Sequence, residues 1–522
     1  MRRRLPGVAR LAKLPTYLAV LACLALVAPP ALALGRPGGG QSFGGSRSSG
    51  GSRSSGSSGS RSSGSSGGSR SSGGSSGGSL SPAGIVVLLV VIGVIVVVQA
   101  ASRRGQNNWT SGAGPRPPMP PPQWHPPPTR RRRSARDVLR GLEAHDPTFS
   151  VIVFEDFLSA LYTDVVLAVG GGKLGGLEAY VMPEAAAALT ARGLAGTTTA
   201  LIGALRIDEV DSLEDAAARS VSVAVVVEAN LSRRDAAGRE EAIYTRERWV
   251  LRRAKGAKSR SPDKARVFTC PSCSAPLDAI LAGRCKYCSQ EVATGAFDWV
   301  VQRIDVLETE RRGPMLTGDS PEEGTDWPTV VDPQAVARLD ALRARDPSFA
   351  WPAFTARIQH IFLTFQGAWS GRDLAGMRPF LSDALFTTQT YWVSEYLKQH
   401  LRNVTENARL LHVELARVTS DTYFDAVTVR IYAASLDYTL ADATGAIVAG
   451  NRQTERRYSE YWTFIRSAQA KGAPRTDPHC PRCGAPLAIS MAGDCTHCQT
   501  KVTAGQFDWV LSRIEQDEVY EG

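Results

Sequence analysis

Acidic residues are almost absent from the first 140 positions of this 522-residue chain. That segment holds 19 of the 60 lysines and arginines but only one of the 50 aspartates and glutamates, Asp137. It therefore carries a net charge of +18, whereas the remaining residues carry −8 and the whole chain carries +10. A basic average does not indicate nucleic-acid binding when the part of the chain that can fold is acidic. No nucleic-acid partner is expected.

Motifs of the common catalytic sites are missing too. The chain has seven histidines, none of them in H-E-x-x-H, and it contains no G-x-S-x-G. Gly170, Gly172 and Gly175 fit G-x-G-x-x-G, but they follow an expected helix, whereas the dinucleotide-binding motif follows a strand. Lys173 is followed by Leu174, where a phosphate-binding P-loop has Ser or Thr. We therefore predict no catalytic residue.

Cysteine is absent outside two clusters, apart from Cys23 near the amino terminus. Each cluster reads C-x2-C, eleven residues, C-x2-C, and the second copy follows the first at an offset of 210. Two cysteine pairs at this spacing can converge on one tetrahedral ion, which favours a structural four-cysteine zinc site in each copy. The predicted ligands are Cys270, Cys273, Cys285 and Cys288 in the first copy and Cys480, Cys483, Cys495 and Cys498 in the second.

Two other uses of these cysteines stay open at this stage. Four thiolates can also bind iron, and cysteines in an oxidising compartment can form disulfides. His479 and His497 lie beside the second cluster, but four cysteines already complete a tetrahedral ligand set. The prediction is therefore two zinc ions per chain.

The repeat extends beyond the cysteines. Phe297-Asp298-Trp299-Val300 recurs as Phe507-Asp508-Trp509-Val510, again at an offset of 210. The apolar residues that follow have helical spacing, which predicts a helix after each zinc ribbon. Trp299 and Trp509 are expected to pack this helix onto the ribbon or the neighbouring domain, and a partner-binding stripe is the alternative.

Residues 1–136 divide into four segments. Residues 1–33 have a basic start, an apolar run and Ala31-Leu32-Ala33, as in a secretory signal peptide, although an uncleaved anchor fits as well. Residues 34–82 are a Gly/Ser/Arg-rich disordered tether. Residues 83–101 are apolar enough and long enough to cross a bilayer core of about 30 Å as a helix. The arginines of the Pro/Arg-rich linker, 102–136, then place the carboxyl side in the cytoplasm, where disulfides are rare.

A duplicated α+β domain precedes each cysteine cluster. Asp146-Pro147-Thr148-Phe149 and Asp346-Pro347-Ser348-Phe349, at an offset of 200, each lead into an apolar helical face. Asp373 is expected to cap a second helix over 374–385, matched by 174–185 in the first copy. Period-two patterns then predict antiparallel strands at 202–210, 219–228 and 242–253, and at 411–418, 424–435, 437–441 and 457–466.

The two copies differ in length. Glu247 and Trp249 correspond to Glu460 and Trp462, so the offset between the copies has risen from 200 to 213. The first copy therefore lacks about 13 residues, which we expect in the hairpin region around the turn at Thr444-Gly445 of the second copy.

Several motifs of the second domain are shared with a known family. They are Asp346-Pro347-x-Phe349, Ala368-Trp369-Ser370-x-Arg372-Asp373, Pro379-x-Leu381-Ser382 and Glu460-Tyr461-Trp462-Thr463-Phe464. On these residues the domain, 335–468, resembles the Tim44-like family, named after the subunit that tethers the chaperone motor to the mitochondrial inner-membrane translocase. The first domain, 137–256, keeps Asp146-Pro147-x-Phe149 but has Gly170-Gly171-Gly172-Lys173 in place of Ser370-Gly371-Arg372-Asp373, so it is a degenerate copy. The resemblance implies a cone-shaped fold like nuclear transport factor two, with an apolar pocket, membrane association and a tethering role.

These expectations describe a membrane-anchored scaffold similar to the bacterial members of the family. Its α+β domains, each followed by a zinc ribbon and helix (266–310 and 478–522) and joined by the linker 311–334, would lie on the cytoplasmic side of the bacterial inner membrane. They would contact membrane lipid and bind a protein partner, or a lipid or peptide in the apolar pocket, and protein translocation is one process that such a role could serve. The alternative is an enzyme or small-ligand sensor whose pocket is lined by Asp437, Tyr438 or Glu460.

Overall fold

The computed structural model describes residues 134–522, except 236, 314, 315, 317–321, 323 and 478. The predicted signal peptide or anchor, tether and transmembrane helix, and all but the last three residues of the Pro/Arg-rich linker, lie outside the described residues. Among the described helices, none combines the length and the apolar composition that crossing a membrane requires.

Residues 134–313, which we call the first half, form three helices followed by an antiparallel sheet in the strand order β1-β2-β3-β6. The helices are α1 (Ala135–Arg140), α2 (Val151–Gly170) and α3 (Pro183–Ala191). The strands of this sheet are β1 (Thr197–Asp211), β2 (Ser220–Arg234), β3 (Glu240–Ala254) and β6 (Val300–Glu310). Two short strands, β4 (Ile280–Leu281) and β5 (Arg284–Cys285), lie in the first cysteine cluster between β3 and β6.

Residues 324–522, the second half, repeat this arrangement in the strand order β7-β8-β10-β11, with β9 pairing β8. The helices are α4 (Ala335–Arg345), α5 (Trp351–Gly371), α6 (Leu374–Met377) and α7 (Asp383–Lys398). The strands are β7 (Leu401–Ser420), β8 (Phe424–Ala441), β9 (Ile447–Gly450), β10 (Arg456–Ser467) and β11 (Val510–Gln516). Helices followed by an antiparallel sheet are what the sequence predicted for both halves.

The helix predicted over 374–385 is wrong in its extent. Asp373 does cap a helix, since its side chain accepts a hydrogen bond from the Gly376 amide, but α6 has only four residues. Pro379 follows in a short 3-10 turn, and Ser382 then caps the separate helix α7 by accepting from the Leu385 amide. Proline lacks an amide hydrogen and clashes with a preceding helical turn, so it divides the predicted helix in two.

The helix predicted after each zinc ribbon is also wrong, because both segments are strands. β6 pairs with β3 and β11 pairs with β10, so each completes its sheet as a fourth strand. In both pairings the register shifts by one residue, at Gln302 and at Ser512, so that Val301 and Ile304, like Leu511 and Ile514, lie three positions apart on the buried side. A β-bulge thus produces apolar spacing that is typical of a helix. It follows that each ribbon is an insertion between the third and fourth strands rather than a separate domain after the sheet.

The difference in length between the halves is distributed over several elements. The numbers of Trp249 and Trp462 differ by 213, but those of their pairing partners, Val225 and Val429, differ by 204, so nine of the extra residues are in the hairpin that contains β9. The others lie before β8, where α7 has 16 residues and α3 has nine. The prediction that the extra residues lie in the hairpin is therefore correct for nine of the 13, and the other four lie before β8.

The space between helices and sheet in the second half is filled by aromatic side chains. Phe354, Phe362, Phe365, Trp369 and Trp462 are all at most 2% exposed and belong to one buried cluster. One cavity of about 470 Å³ lies in the first half and is lined by mixed polar and apolar residues that include His145 and Lys255. The pocket that the family resemblance implies is not confirmed and stays a prediction.

The two halves pack against each other. Phe424, Ala426, Ile465 and Val510 of the second sheet form a buried cluster with Val153 at the start of α2. Polar contacts surround it: Arg513 on β11 donates to Glu155, and Ser150 donates to Asp421 at 2.7 Å. The strand that follows the second cysteine cluster therefore also contributes to the contact between the halves.

Candidate metal centres

Each C-x2-C pair forms a tight turn that ends in a left-handed residue. In the first cluster the amides of Ser274 and Ser289 donate to the carbonyls of Cys270 and Cys285, at 2.8 and 2.9 Å, and both serines have φ near +60°. Gly484 and Gln499 occupy the same positions in the second cluster, with φ of 72° and 56°. Such turns direct neighbouring backbone amides towards the cysteine sulfurs, which stabilises thiolates.

The four sulfurs of each cluster lie close to one another. The Sγ–Sγ distances are 3.9 Å for Cys270–Cys288 and 3.8 Å for Cys273–Cys285. In the second cluster they are 3.9 Å for Cys480–Cys498 and 4.0 Å for Cys483–Cys495. Zn–S bonds of about 2.3 Å in a regular tetrahedron place sulfurs about 3.8 Å apart, so both donor sets fit the ion.

All eight predicted ligands are therefore brought together in two groups of four. These cysteines are free, which contradicts the disulfide alternative for the described residues. Neither group includes a histidine, and His479 and His497 are exposed beside the second group. An all-sulfur set suits zinc, and its spacing alone does not distinguish zinc from iron.

The thiols of each centre differ in acidity. The Gln290 amide, hydrogen-bonded to Cys288, lowers the pKa of that thiol to about 7, whereas burial raises the pKa of Cys270 to about 12. In the second centre the side chain and amide of Thr500 lower the pKa of Cys498 to about 6. Four neighbouring thiolates carry a charge of −4, which only a bound cation can offset, so metal binding and full deprotonation are coupled.

Side chains from the helical layer hold the second ribbon against its half. Arg378 donates to the Met491 carbonyl at 2.8 Å, and Lys501 forms an ion pair with Asp383 at 2.8 Å. Gly493, with φ of 90°, approaches Arg378 so closely that a Cβ there would clash with its guanidinium. This docking fixes the ribbon relative to α7 and to the strand that leaves it.

The first ribbon is held by a different set. Arg260 forms an ion pair with Asp298 at 2.5 Å and lies over the rings of Phe157 and Tyr180. The Tyr180 hydroxyl donates to the Thr269 carbonyl, next to the first cysteine of the cluster. Both ends of this ribbon are thus joined to the helices of the first half.

A buried ion pair, which we call the brace, lies next to the ribbon in each half. Asp146 accepts from Arg253 at 3.0 Å and Asp346 accepts from Arg466 at 2.8 Å, and these aspartates belong to the Asp-Pro-x-Phe motifs. Burial alone would raise the pKa of Asp346, but hydrogen bonds from Ser348 and Arg466, and the charge of Arg466, outweigh it and hold that pKa below its usual value. Sequence reasoning assigned no role to these arginines, although the offset between them, 213, equals that between Trp249 and Trp462.

The two tryptophans of the repeated Phe-Asp-Trp-Val segments complete these braces. Trp299 and Trp509 are 3% and 0% exposed, and Arg253 and Arg466 lie over their rings at 5.2 and 4.7 Å. Their predicted packing role is confirmed, although they lie next to a strand and not on a helix. Because they are buried, the partner-binding alternative is wrong.

The residues considered for a pocket lie in the second half without forming an open site. Asp437 accepts from the Asn403 side chain at 2.8 Å, and Glu460 accepts from the Trp462 indole at 2.8 Å. Both carboxylates and Tyr438 are at most 4% exposed, and the Tyr438 hydroxyl donates to the carboxylate of Glu406. Asp437 and Glu460 thus contribute hydrogen bonds to the interior of the second half.

Comparison with known families gives one finding for this chain. Residues 336–475 match the model of the Tim44-like domain family. This segment is a Tim44-like domain. Its match begins in α4 and ends shortly before Cys480, so the second ribbon and β11 lie beyond the matched part of the Tim44-like domain. No curated protein matches the chain.

Proposed function

We propose that this protein is a membrane-anchored scaffold that holds a protein partner on the cytoplasmic side of a bacterial inner membrane. The observation that carries the proposal is the Tim44-like domain at 336–475, because this family is associated with scaffolding and tethering. The apolar segment 83–101 and the arginines after it supply the proposed anchor and its orientation. Each half is proposed to be a cone like nuclear transport factor two, with the first half as a structural copy.

The ions of the two centres are proposed to be zinc. Four sulfurs about 3.8 Å apart, with no open coordination position, correspond to a structural site and not to a catalytic one. When bound, the ion neutralises the thiolates and crosslinks two turns of the chain. One ion would be held by the sulfurs of Cys270, Cys273, Cys285 and Cys288, and the other by those of Cys480, Cys483, Cys495 and Cys498.

A native-membrane experiment tests the scaffold. The full chain is crosslinked in its own membranes and purified under denaturing conditions, and the recovered proteins are compared between wild type and Asp437→Asn. We expect one partner to be recovered in near-constant ratio from both, because Asp437 is buried and cannot contact a partner. Absence of a reproducible partner would contradict the scaffold.

The same variant addresses the enzyme or ligand-sensor alternative. Asp437 is a buried carboxylate of the second half that accepts a hydrogen bond from the Asn403 side chain, and Tyr396 lies close enough for this carboxylate to raise the pKa of the tyrosine, after the larger effect of burial. A pocket-based activity would require this group. Loss of turnover of a metabolite in Asp437→Asn, with metal content unchanged, would favour the alternative.

A further inference from the structure

The first ribbon carries the two most exposed large apolar side chains of the described residues. Tyr287 is 76% exposed and Leu281 is 67% exposed. Leu281 ends β4, and Tyr287 lies inside the second C-x2-C turn of the same cluster. A four-cysteine ribbon has a very small core, and these side chains point away from it.

Two cations share this surface. The β4–β5 register places Leu281 opposite Arg284, which puts both side chains on the same face, and Lys286 follows two residues later. Arg284 and Lys286 are exposed, and neither forms an ion pair within the described residues. Between Asp278 and Glu291 the chain contains no aspartate or glutamate, and Glu291 lies opposite Arg284 in an isolated antiparallel bridge, so Lys286 is the cation of this surface that faces no acid in the pairing. We call residues 281–287 the ribbon tip.

The second ribbon provides a comparison within the same molecule. At the same offset of 210, it holds Met491, Asp494, Thr496 and His497 in place of Leu281, Arg284, Lys286 and Tyr287. Both cations are absent there: Lys286 is replaced by a neutral residue, and the bridged pair Arg284–Glu291 is replaced by the charge-reversed pair Asp494–Lys501. The fold of the ribbon therefore does not require this combination of cations and apolar side chains.

We propose that the ribbon tip contacts the surface of an anionic lipid bilayer. Tyrosine and leucine enter the interfacial layer of a membrane, and lysine and arginine are attracted to its anionic headgroups. A nucleic acid would leave Leu281 without a suitable partner, and an acidic peptide would not require two such exposed apolar groups. The tip is too small for tight binding by itself, so this inference depends on the proposed membrane anchor.

The length of the linker makes this contact geometrically accessible. About 32 residues separate the end of the apolar segment at 101 from the first described residue, and many of them are prolines. At about 3.1 Å per residue, an extended linker of this kind reaches about 100 Å. The anchor thereby raises the local concentration of the folded part at the membrane, and a weak second contact becomes significant.

The test uses the full chain in lipid nanodiscs. An environment-sensitive fluorescent amino acid replaces Tyr287 in one sample and His497 in a matched sample, in anionic and in zwitterionic discs. We expect a blue-shifted emission and at least a threefold protection from an aqueous quencher at 287 in anionic discs only. The probe at 497 should not change, and the pair Arg284→Glu and Lys286→Glu should abolish the effect at 287 while both centres keep their metal.

The possible failures are distinguishable. If the chain does not co-elute with the discs, both the anchor and the ribbon contact are overturned. If it co-elutes but the probe at 287 stays as accessible to quencher as the probe at 497, only the ribbon contact is overturned. A photo-crosslinking amino acid at 287 that reacts with a protein and not with lipid in native membranes would also overturn it.

Discussion

Removal of the metal from one centre is expected to loosen the fourth strand of that half without unfolding the sheet. In the second half, β11 follows the ribbon, and Trp509, Val510 and Leu511 are at most 2% exposed. Burial of each such side chain stabilises the fold by about 1.5–3 kcal/mol, so these three residues contribute about 5–9 kcal/mol. The burial of these side chains therefore favours a docked β11 even without the metal.

The metal matters because it shortens the connection between β10 and β11. With the metal bound, about 20 residues outside Cys480–Cys498 connect the two strands; without it, residues 468–508 become a flexible loop of about 40 residues, and this doubling costs about 0.6 kcal/mol by the logarithmic dependence on loop length. This cost is smaller than the burial energy of β11, so the strand remains docked in most molecules. It is large enough, however, to raise the population in which β11 is open about threefold.

Hydrogen exchange measures this opening directly. In Cys483→Ser, amides of β11 such as that of Leu511 should exchange about threefold faster than in wild type, while β6 keeps its rates. Cys273→Ser is the matched control, since it should affect β6 and leave β11 unchanged. Unaltered exchange of β11 in a variant shown by elemental analysis to have lost one ion would refute the reasoning.

Three further predictions concern the braces, the metal and the contact between the halves. Asp346→Ala should lower the free energy of unfolding by about 3–5 kcal/mol in denaturant titrations, because it leaves Arg466 buried without its carboxylate. The pKa of Asp346 is lowered in the folded state, so this stabilisation should be complete above the usual aspartate pKa of about 3.9 and be lost as the pH falls through the lower folded-state value. If the difference in unfolding free energy between wild type and Asp346→Asn did not depend on pH, this prediction would be contradicted. Two equivalents of zinc should be found per chain, and both should be released on acidification as the thiolates protonate; iron, or no metal, would refute the assignment. Ile465→Arg should separate the halves and speed proteolysis between them, because it places a charge against Val153, and an unchanged cleavage rate would count against that contact.

The sequence was most informative where the chemistry is local or repeated. The spacing of the cysteines predicted both metal centres, and the repeated Asp-Pro-x-Phe motifs located the start of the main helix in each half. Period-two patterns located most strands but not their ends. The strands predicted at 424–435 and 437–441 are one strand, β8, and β7 begins at Leu401, ten residues before the predicted 411, because that part of the strand includes β-bulges that interrupt the alternation.

Long-range pairing could not be predicted in the same way. Nothing in the local pattern of 297–310 indicates that it pairs with β3 across the whole ribbon, and a bulge gave its apolar residues the spacing of a helix. Its β-branched composition, with Val300, Val301, Ile304 and Val306 in close succession, was the signal that favoured a strand. The roles of Arg253 and Arg466 likewise depend on contacts more than a hundred residues away in sequence.

The sheets of the two halves differ at the face where the halves contact each other, and this difference explains why the repeat forms a pair. Phe424, Ala426 and Ile465 of the second sheet are covered by the first half, and the pairing register assigns Ser220, Ser222 and Arg252 to the same places in the first sheet. A sheet face with apolar residues at these positions could accept a further copy of the domain, and such head-to-tail contacts lead to open-ended assembly. The polar residues of the first sheet disfavour such a contact, because a third unit would have to bury the charged Arg252, which donates to the Ser220 hydroxyl and not to a carboxylate. Duplication supplied the same fold twice, and divergence at a few surface positions determined that only one of the two sheets is covered.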